Sequence, residues 1–291
     1  MLKYASMLTY ILSTAISLVA INQLELQVNP TLAALISFLL CFLFFNLVNY
    51  NRLKIAYDIL LKSPLDFIKI NIITAIIWIS TFWGLKYIAP GIFVSLFMGV
   101  IPLSAVFISK NKPGFKHKET NLMLTLIFLA LGLVSYESLK LVDSSTTMYY
   151  GLFLAVISGI FSAIYIHYSQ KLQKKFNFTT LDFLSIRFYF VIAICLSLAS
   201  IAGNHIILSC TLNKWYDFIF IAILTTIIPL YSLQNAILKL GSMRVSYLIT
   251  LTPLVAYLLQ TFIGFQFNIV IFSMILVMSL LLIQYYRNIF Y

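Results

Sequence analysis

Asp66-Phe67-Ile68-Lys69-Ile70-Asn71-Ile72-Ile73-Thr74-Ala75-Ile76-Ile77 returns, without a gap, as Asp217-Phe218-Ile219-Phe220-Ile221-Ala222-Ile223-Leu224-Thr225-Thr226-Ile227-Ile228. The shift is about 151 residues, and it extends beyond this stretch, setting Ser95 on Ser246 and Pro102-Leu103 on Pro253-Leu254. Both copies are apolar enough to lie in a bilayer. If five crossings separate them, the second copy is inverted relative to the first. Inverted repeats of hydrophobic helices build many secondary transporters. The expectation is an all-α membrane protein of ten transmembrane helices, in two inverted five-helix repeats over residues 1–140 and 141–291.

Composition agrees. The chain is 62% hydrophobic and 9% charged, with a mean hydropathy of +1.01. A soluble domain carries about a quarter charged residues. Apolar runs of about 18 residues or more recur along the chain, the length of a helix that spans lipid. They are continuous, not alternating, so helices and not barrel strands are implied. The net charge of +11 lies in short loops rather than on one polar face, which argues for membrane topology and against nucleic acid. Cys41, Cys195 and Cys210 form no disulfide or metal motif. Lys3 followed by an apolar stretch to Ile21 resembles a signal peptide, but Ser17-Leu18-Val19-Ala20 is a poor cleavage site, so this stretch reads as the first span.

Hydropathy places spans near Tyr4–Ile21, Thr31–Tyr50, Phe67–Leu85, Gly91–Ser109 and Asn121–Leu139. The second set lies near Tyr149–Gln170, Thr179–Ile201, Trp215–Leu238, Met243–Phe265 and Ile269–Tyr286. Residues Tyr57–Leu61 suggest a short interfacial helix in the connection Asn51–Asp66. With the N-terminus inside, the inner segments hold 15 of the Lys and Arg residues and the outer ones only Lys86, Lys140 and Lys214. That bias puts both termini in the cytoplasm.

There is no phosphate-binding Gly-rich loop, no His-Glu-x-x-His pair, no Cys/His cluster and no nucleophile elbow. Neither a cofactor nor a metal is implied, and the reading is not an enzyme. Charge inside a bilayer costs about 2.5–3.5 kcal/mol at mid-depth, so each ionisable residue there needs a reason. Arg187 lies about 12 Å into its span at 1.5 Å per residue. Its side chain can reach back to the headgroups, which makes a snorkelling or structural role the plain reading and a gate or substrate anchor the functional one. Glu137 near Lys140 suggests an interfacial ion pair, and His167 near the cytoplasmic end a structural imidazole. A proton-coupling role is the alternative for both. No Asp or Glu falls at the middle of any span.

Softer signals point to a cavity. Ser6, Tyr10, Ser13, Thr14 and Ser17 share a face of the first span, and Ser158, Ser162, Tyr165 and Ser169 a face of the sixth. Such stripes suit close packing, as at Gly159-x-x-x-Ala163, or a wetted wall. Trp78, Thr81 and Phe82 line one face of the third span; Tyr231, Gln234 and Asn235 line one of the eighth. Buried amides there require hydrogen bonds or hydration. Pro102 and Pro253 each remove a backbone donor at matched positions, as in a pivoting or cavity-lining helix or a merely bent one.

With these residues the chain resembles the drug/metabolite transporter superfamily, in particular its EamA type. The resemblance rests on the paired halves, the Gly151–Gly159 opening of the second half, Tyr165–Leu172, Thr180–Arg187 and Leu240–Leu254. Two departures stand out. Ile36 occupies the first-half position of Arg187, and the first span lacks a Trp-Gly pair before its polar segment. The resemblance implies a central cavity between the first, third, fourth, sixth, eighth and ninth helices, open alternately to either side, with the fifth and tenth helices outside. It also favours export.

The expected lining is Tyr10, Thr14, Trp78, Thr81, Ser95, Met98, Tyr165, Tyr231, Gln234, Asn235, Tyr247 and Thr250, with Pro102, Pro253 and Arg187 as gating or structural residues. Such a surface suits flat apolar or cationic ligands. Without a mid-depth acid it fits amino acids, neutral aromatics or zwitterions better than strong cations. The partners expected are a small-molecule substrate and membrane lipids in a bacterial cytoplasmic membrane, with a homodimer left open. An intramembrane lipid-modifying enzyme and a lipid scramblase are the alternatives. The first needs converging acid–base groups, and the second has no need for matched mid-span prolines.

Overall fold

The computed structural model describes residues 2–25, 29–108, 145–201, 222–264 and 266–290, and these form helices and turns with no strand. The predicted fifth span (121–139), Glu137 and most of the second repeat copy before Ala222 lie outside them. The first half supplies α1 (Leu2–Glu25), α2 (Pro30–Val48), a 3-10 turn (Tyr50–Arg52), α3 (Leu53–Lys62), α4 (Pro64–Tyr87) and α5 (Pro90–Ile108). The second supplies α6 (Ser145–Phe176), α7 (Thr180–Ser185), α8 (Tyr189–Ile201), a π turn (Ile223–Ile227), α9 (Ile228–Leu240), α10 (Ser242–Leu248), a 3-10 turn (Ile249–Leu251), α11 (Thr252–Phe262) and α12 (Ile269–Phe290). Seven segments among the described residues are long and apolar enough to cross a membrane, and Pro90–Pro102 and Ile269–Leu281 are shorter apolar helices.

The starts of these helices follow from local sequence. Pro30, Pro64 and Pro90 each open a helix, where a missing N–H costs nothing. Asn29 caps α2 by accepting from the Thr31 N–H at 2.9 Å. The short helix expected near Tyr57 is present and longer, as α3. One span expected to be continuous, Thr179–Ile201, is interrupted at Ile186–Phe188, while Met243–Phe265 runs on through a 3-10 turn at Ile249–Leu251. Hydropathy does not register the interruption because an apolar residue scores alike in a helix and in a turn.

The bundle is held across its halves. Thr81 Oγ1 and Ser158 Oγ lie 2.8 Å apart, joining α4 to α6, and Ser158 also donates to the Ile77 carbonyl at 3.2 Å. Within the first half, Asn22 Nδ2 on α1 donates to the Leu85 carbonyl on α4 at 2.7 Å. Gly159 on α6 lets α5 come close, since a Cβ there would sit 2.7 Å from the Phe97 carbonyl oxygen and 2.8 Å from Val100 Cβ. One apolar core runs through both halves, and large apolar side chains such as Leu8, Leu43, Leu47, Phe153, Leu196 and Phe262 face outward. An apolar exterior of this kind suits lipid and not water.

Gly159→Ala places a methyl group against fixed backbone. It is expected to lower the detergent melting temperature by several degrees, an overpacking cost of about 1–3 kcal/mol. An unchanged transition would show that α5 and α6 do not meet at this carbonyl.

Candidate functional site: a central cavity with a buried arginine

The site begins with a broken helix. Thr179 and Asp182 form a reciprocal capping box at the start of α7, and the helix stops at Ser185. The chain passes Ile186, Arg187 and Phe188 before α8 begins. A break within lipid frees carbonyl groups that need new donors. Two asparagines from the first half supply them. Asn46 Nδ2 donates to the Ser185 carbonyl at 3.1 Å, and Asn71 Nδ2 to the Ile186 carbonyl at 3.1 Å. The break is therefore stabilised from outside its own helix, and it turns Arg187 toward the interior.

Arg187 is 2% exposed, so it does not snorkel to the headgroups as its depth allowed. Its Nη1 donates to the Tyr165 hydroxyl, which in turn donates to Gln234 Oε1. The guanidinium carbon lies 4.5 Å from the Tyr165 ring centre and 4.9 Å from that of Phe188. Its Nε has no hydrogen-bond partner. The ion pairs among the described residues are Arg52–Asp182 and Lys175–Asp66, and neither includes Arg187. A buried cation is thus steadied by two aromatic faces with no counter-ion among the described residues.

A second irregularity faces the first. Pro229 has no N–H, so the carbonyl four residues back, at Thr225, loses its helical donor. The chain responds with the π turn, and Ser17 Oγ on α1 donates to that carbonyl at 2.7 Å. The Thr225 hydroxyl is buried and has no hydrogen-bond partner. π turns are frequent at functional sites.

Between these irregularities lies a cavity of about 50 Å³. That is room for a few waters. Helix α1 contributes Tyr10, Thr14, Ser17 and Leu18; α4 contributes Ile77, Trp78 and Thr81; α5 contributes Phe97 and Ile101. From the second half come Ser162, Tyr165 and Ile166 of α6, Arg187, Thr225, Pro229, Leu230 and Leu233 of the π turn and α9, and Ile249. These are the first, third, fourth, sixth, eighth and ninth predicted spans, with Arg187 added from the seventh.

Of the expected lining, Tyr10, Thr14, Trp78, Thr81 and Tyr165 meet at this cavity. Gln234 stands behind it as the partner of Tyr165. The rest lie elsewhere. Ser95 donates to the Gly91 carbonyl of its own helix at 2.6 Å, and Met98 is packed into the core. Tyr231 is 42% exposed on the outer face of α9. Asn235 Nδ2 donates to Ser6 Oγ at 2.9 Å, tying α9 to α1. Tyr247 is buried away from the cavity lining, and the Thr250 hydroxyl donates to the Tyr247 carbonyl at 2.7 Å. These displacements share a cause: helical spacing identifies a polar face but not whether it turns to a cavity, to a neighbouring helix or to lipid.

Pro102 lies inside α5, and Pro253 opens α11 just after the 3-10 turn. His167 lies outside the lining, with Nδ1 3.2 Å from the Ala163 carbonyl. Residues that the sequence reading did not single out for the site include Asn46, Asn71, Thr225 and Pro229. Two signals pointed to them: side-chain amides within apolar spans, and a proline four residues after a threonine in the repeated stretch.

The end of the bundle that carries Lys171, Lys174 and Lys175 is tied across the halves. Asp66 pairs with Lys175 at 2.7 Å and accepts from the Tyr168 hydroxyl at 2.5 Å. Asp182 pairs with Arg52 at 3.0 Å and accepts from Asn49 Nδ2 at 3.2 Å. Tyr57 and Tyr189 are hydrogen-bonded through their hydroxyls.

Comparison with known proteins now bears on this arrangement. Residues 149–285 match the EamA-like transporter family. This segment is an EamA-like transporter domain. A solved crystal structure shares the fold, with a TM-score of 0.59 at 15% identity over 96% of this chain and 95% of that one. No curated protein matches the chain. The match over residues 149–285, together with seven apolar helices of spanning length among the described residues, fits a multi-pass membrane protein of the drug/metabolite transporter type.

Asn71→Leu removes the donor to the Ile186 carbonyl. Because Asn71 Oδ1 has no partner of its own, the net loss is at the lower end for a buried bond, about 1 kcal/mol. A lowered melting temperature is expected, and a wild-type value would show that the break does not depend on Asn71.

Proposed function

We propose that this transporter moves small organic metabolites or amphipathic compounds, amino acids among them, out of the cell across a bacterial cytoplasmic membrane by alternating access. The central cavity, shared by helices of both halves, carries the reading. A ligand there contacts both halves at once and can therefore favour one relative orientation over another.

The proposal includes ten spans in two inverted repeats with both termini cytoplasmic. Helix boundaries support it: α2 (Pro30–Val48) has its counterpart about 151 residues on in α7 and α8 (Thr180–Ile201), and α5 (Pro90–Ile108) in α10 and α11 (Ser242–Phe262). The Lys- and Arg-rich end is then cytoplasmic, and its cross-half ties form the closed gate of this state. Those ties suit a gate. Lys175 is about half exposed and Asp66 partly so, and an exposed ion pair is worth about 0–1 kcal/mol, so that tie can part at small cost; Asp182 is buried but keeps its bonds from Asn49 and the Thr179 N–H when Arg52 leaves. Pro102 and Pro253 supply matched flexibility in the fourth and ninth spans.

The cavity lining includes no carboxylate and no imidazole. An intramembrane transferase would lack its acid–base pair there, which weighs against the enzyme alternative.

Reconstituted protein is expected to carry at least one member of a panel of amino acids and aromatic metabolites across proteoliposomes, and Ser162→Phe, which fills the cavity, to abolish that flux in protein that still melts cooperatively. Flux in Ser162→Phe at the wild-type rate, or flipping of dye-labelled lipid with no solute flux, would contradict the proposal.

A further inference from the structure

Arg187 is placed as a ligand's counter-ion would be. The guanidinium has five N–H donors, and its hydrogen bond among the described residues is the one to the Tyr165 hydroxyl. Among the described residues no carboxylate forms an ion pair with it. Burying an unpaired charge is costly. The protein builds this one with care, breaking a helix and using Asn46 and Asn71 to satisfy the carbonyls that the break frees.

A structural brace would be expected to use more of its donors on fixed acceptors. Here the aromatic faces of Tyr165 and Phe188 hold the plane of the guanidinium and leave its edge for something else. The Thr225 hydroxyl is a second buried group without a partner at the same cavity. Trp78 and aliphatic side chains such as Leu18, Ile77 and Leu233 give the same cavity an apolar lining.

We propose that the cavity binds an organic oxyanion, a compound with one carboxylate or similar group on an aromatic or apolar body. Arg187 takes the anion, the Thr225 hydroxyl adds a hydrogen bond, and Trp78 covers the ring. This rests on the reading of the cavity as the transport site and narrows its substrate class. A bare ammonium would meet the guanidinium without any acid to offset the repulsion. A zwitterionic amino acid carries that penalty in part, so the preferred cargo is the acid and not the amino acid. The same oxyanion chemistry is found in the headgroup of an anionic lipid, and the test separates the two sources.

Four compounds with one ring and different charge decide the matter: phenylacetate, its neutral isostere phenylacetamide, zwitterionic phenylalanine and cationic phenethylamine. Each is titrated against purified protein in nanodiscs of phosphatidylcholine, with thermal shift and tryptophan fluorescence as readouts. Phenylacetate is expected to bind most tightly, phenylalanine more weakly, and phenethylamine not at all. Arg187→Gln should weaken phenylacetate by about tenfold or more, the loss of a charged hydrogen bond, while leaving phenylacetamide unchanged. Arg187→Lys should recover part of the acid's affinity. Thr225→Val should weaken it by about fivefold and serves if Arg187→Gln does not fold.

Equal binding of acid and amide would overturn the inference, as would unchanged acid binding in both Arg187→Gln and Thr225→Val. No binding of phenylacetate would also overturn it. Phosphatidylglycerol nanodiscs that stabilise the protein and suppress phenylacetate binding completely would assign the anion to lipid and overturn the solute reading. Failure here is distinguishable from failure of the transport proposal. Flux of another compound with no acid binding removes only this inference, whereas acid binding intact with no flux of any compound removes only the transport reading.

Discussion

A membrane-embedded helix that stops at Ser185 and restarts at Tyr189 must find donors for the carbonyls it frees, and the rest of the site depends on how that is done. Asn46 and Asn71 reach over from the first half and satisfy two of them. With the backbone thus settled, Arg187 turns inward against Tyr165 and Phe188 rather than out to lipid or headgroups. If the asparagines were apolar, the least costly arrangement would be a continuous helix with its arginine on another face. The cavity's charge is therefore a product of contacts between the halves.

The same logic recurs on the opposite wall. Pro229 deprives the Thr225 carbonyl of its donor, the helix widens into a π turn, and Ser17 of α1 supplies the missing hydrogen bond. In both places an irregular backbone is tolerated because a side chain from another helix completes it, and in both the irregularity borders the cavity. The halves are not equivalent in this respect. Shifted by the repeat, Arg187 falls on Ile36 and Asn71 on Ala222, so α2 runs unbroken where its counterpart is interrupted. The charge beside the cavity thus sits at a position where the two matching stretches of sequence differ.

Much of this was legible in the sequence. Hydropathy located every described span to within a few residues, because length and apolarity are set by the bilayer. Helical spacing brought Tyr10, Thr14, Trp78, Thr81 and Tyr165 to one cavity, since larger polar and aromatic groups on one face of a span need a common partner. The break was not legible, since Ile186 and Phe188 are as apolar outside a helix as within one. The rotation of α9 was not either: Tyr231 faces outward, Asn235 pairs with Ser6, and Gln234 supports Tyr165 instead of lining the cavity. The direction in which Arg187 points depends on partners more than a hundred residues distant. Asparagine within an apolar run, with nothing nearby to bond, was the clue that such a partner existed.

The central claim is that the cavity beside Arg187 is a watery compartment reached from one side of the membrane at a time. Its most direct test is a single cysteine at Ser162 in a variant lacking Cys41, Cys195 and Cys210, labelled in oriented vesicles with a membrane-impermeant thiol reagent. The account predicts labelling from the outer face alone while the pairs Asp66–Lys175 and Asp182–Arg52 are intact, and a gain of labelling from the cytoplasmic face when Asp66→Asn and Arg52→Gln release them. A cysteine unreactive from both faces in either background, or labelled equally from both while the pairs are intact, would contradict it.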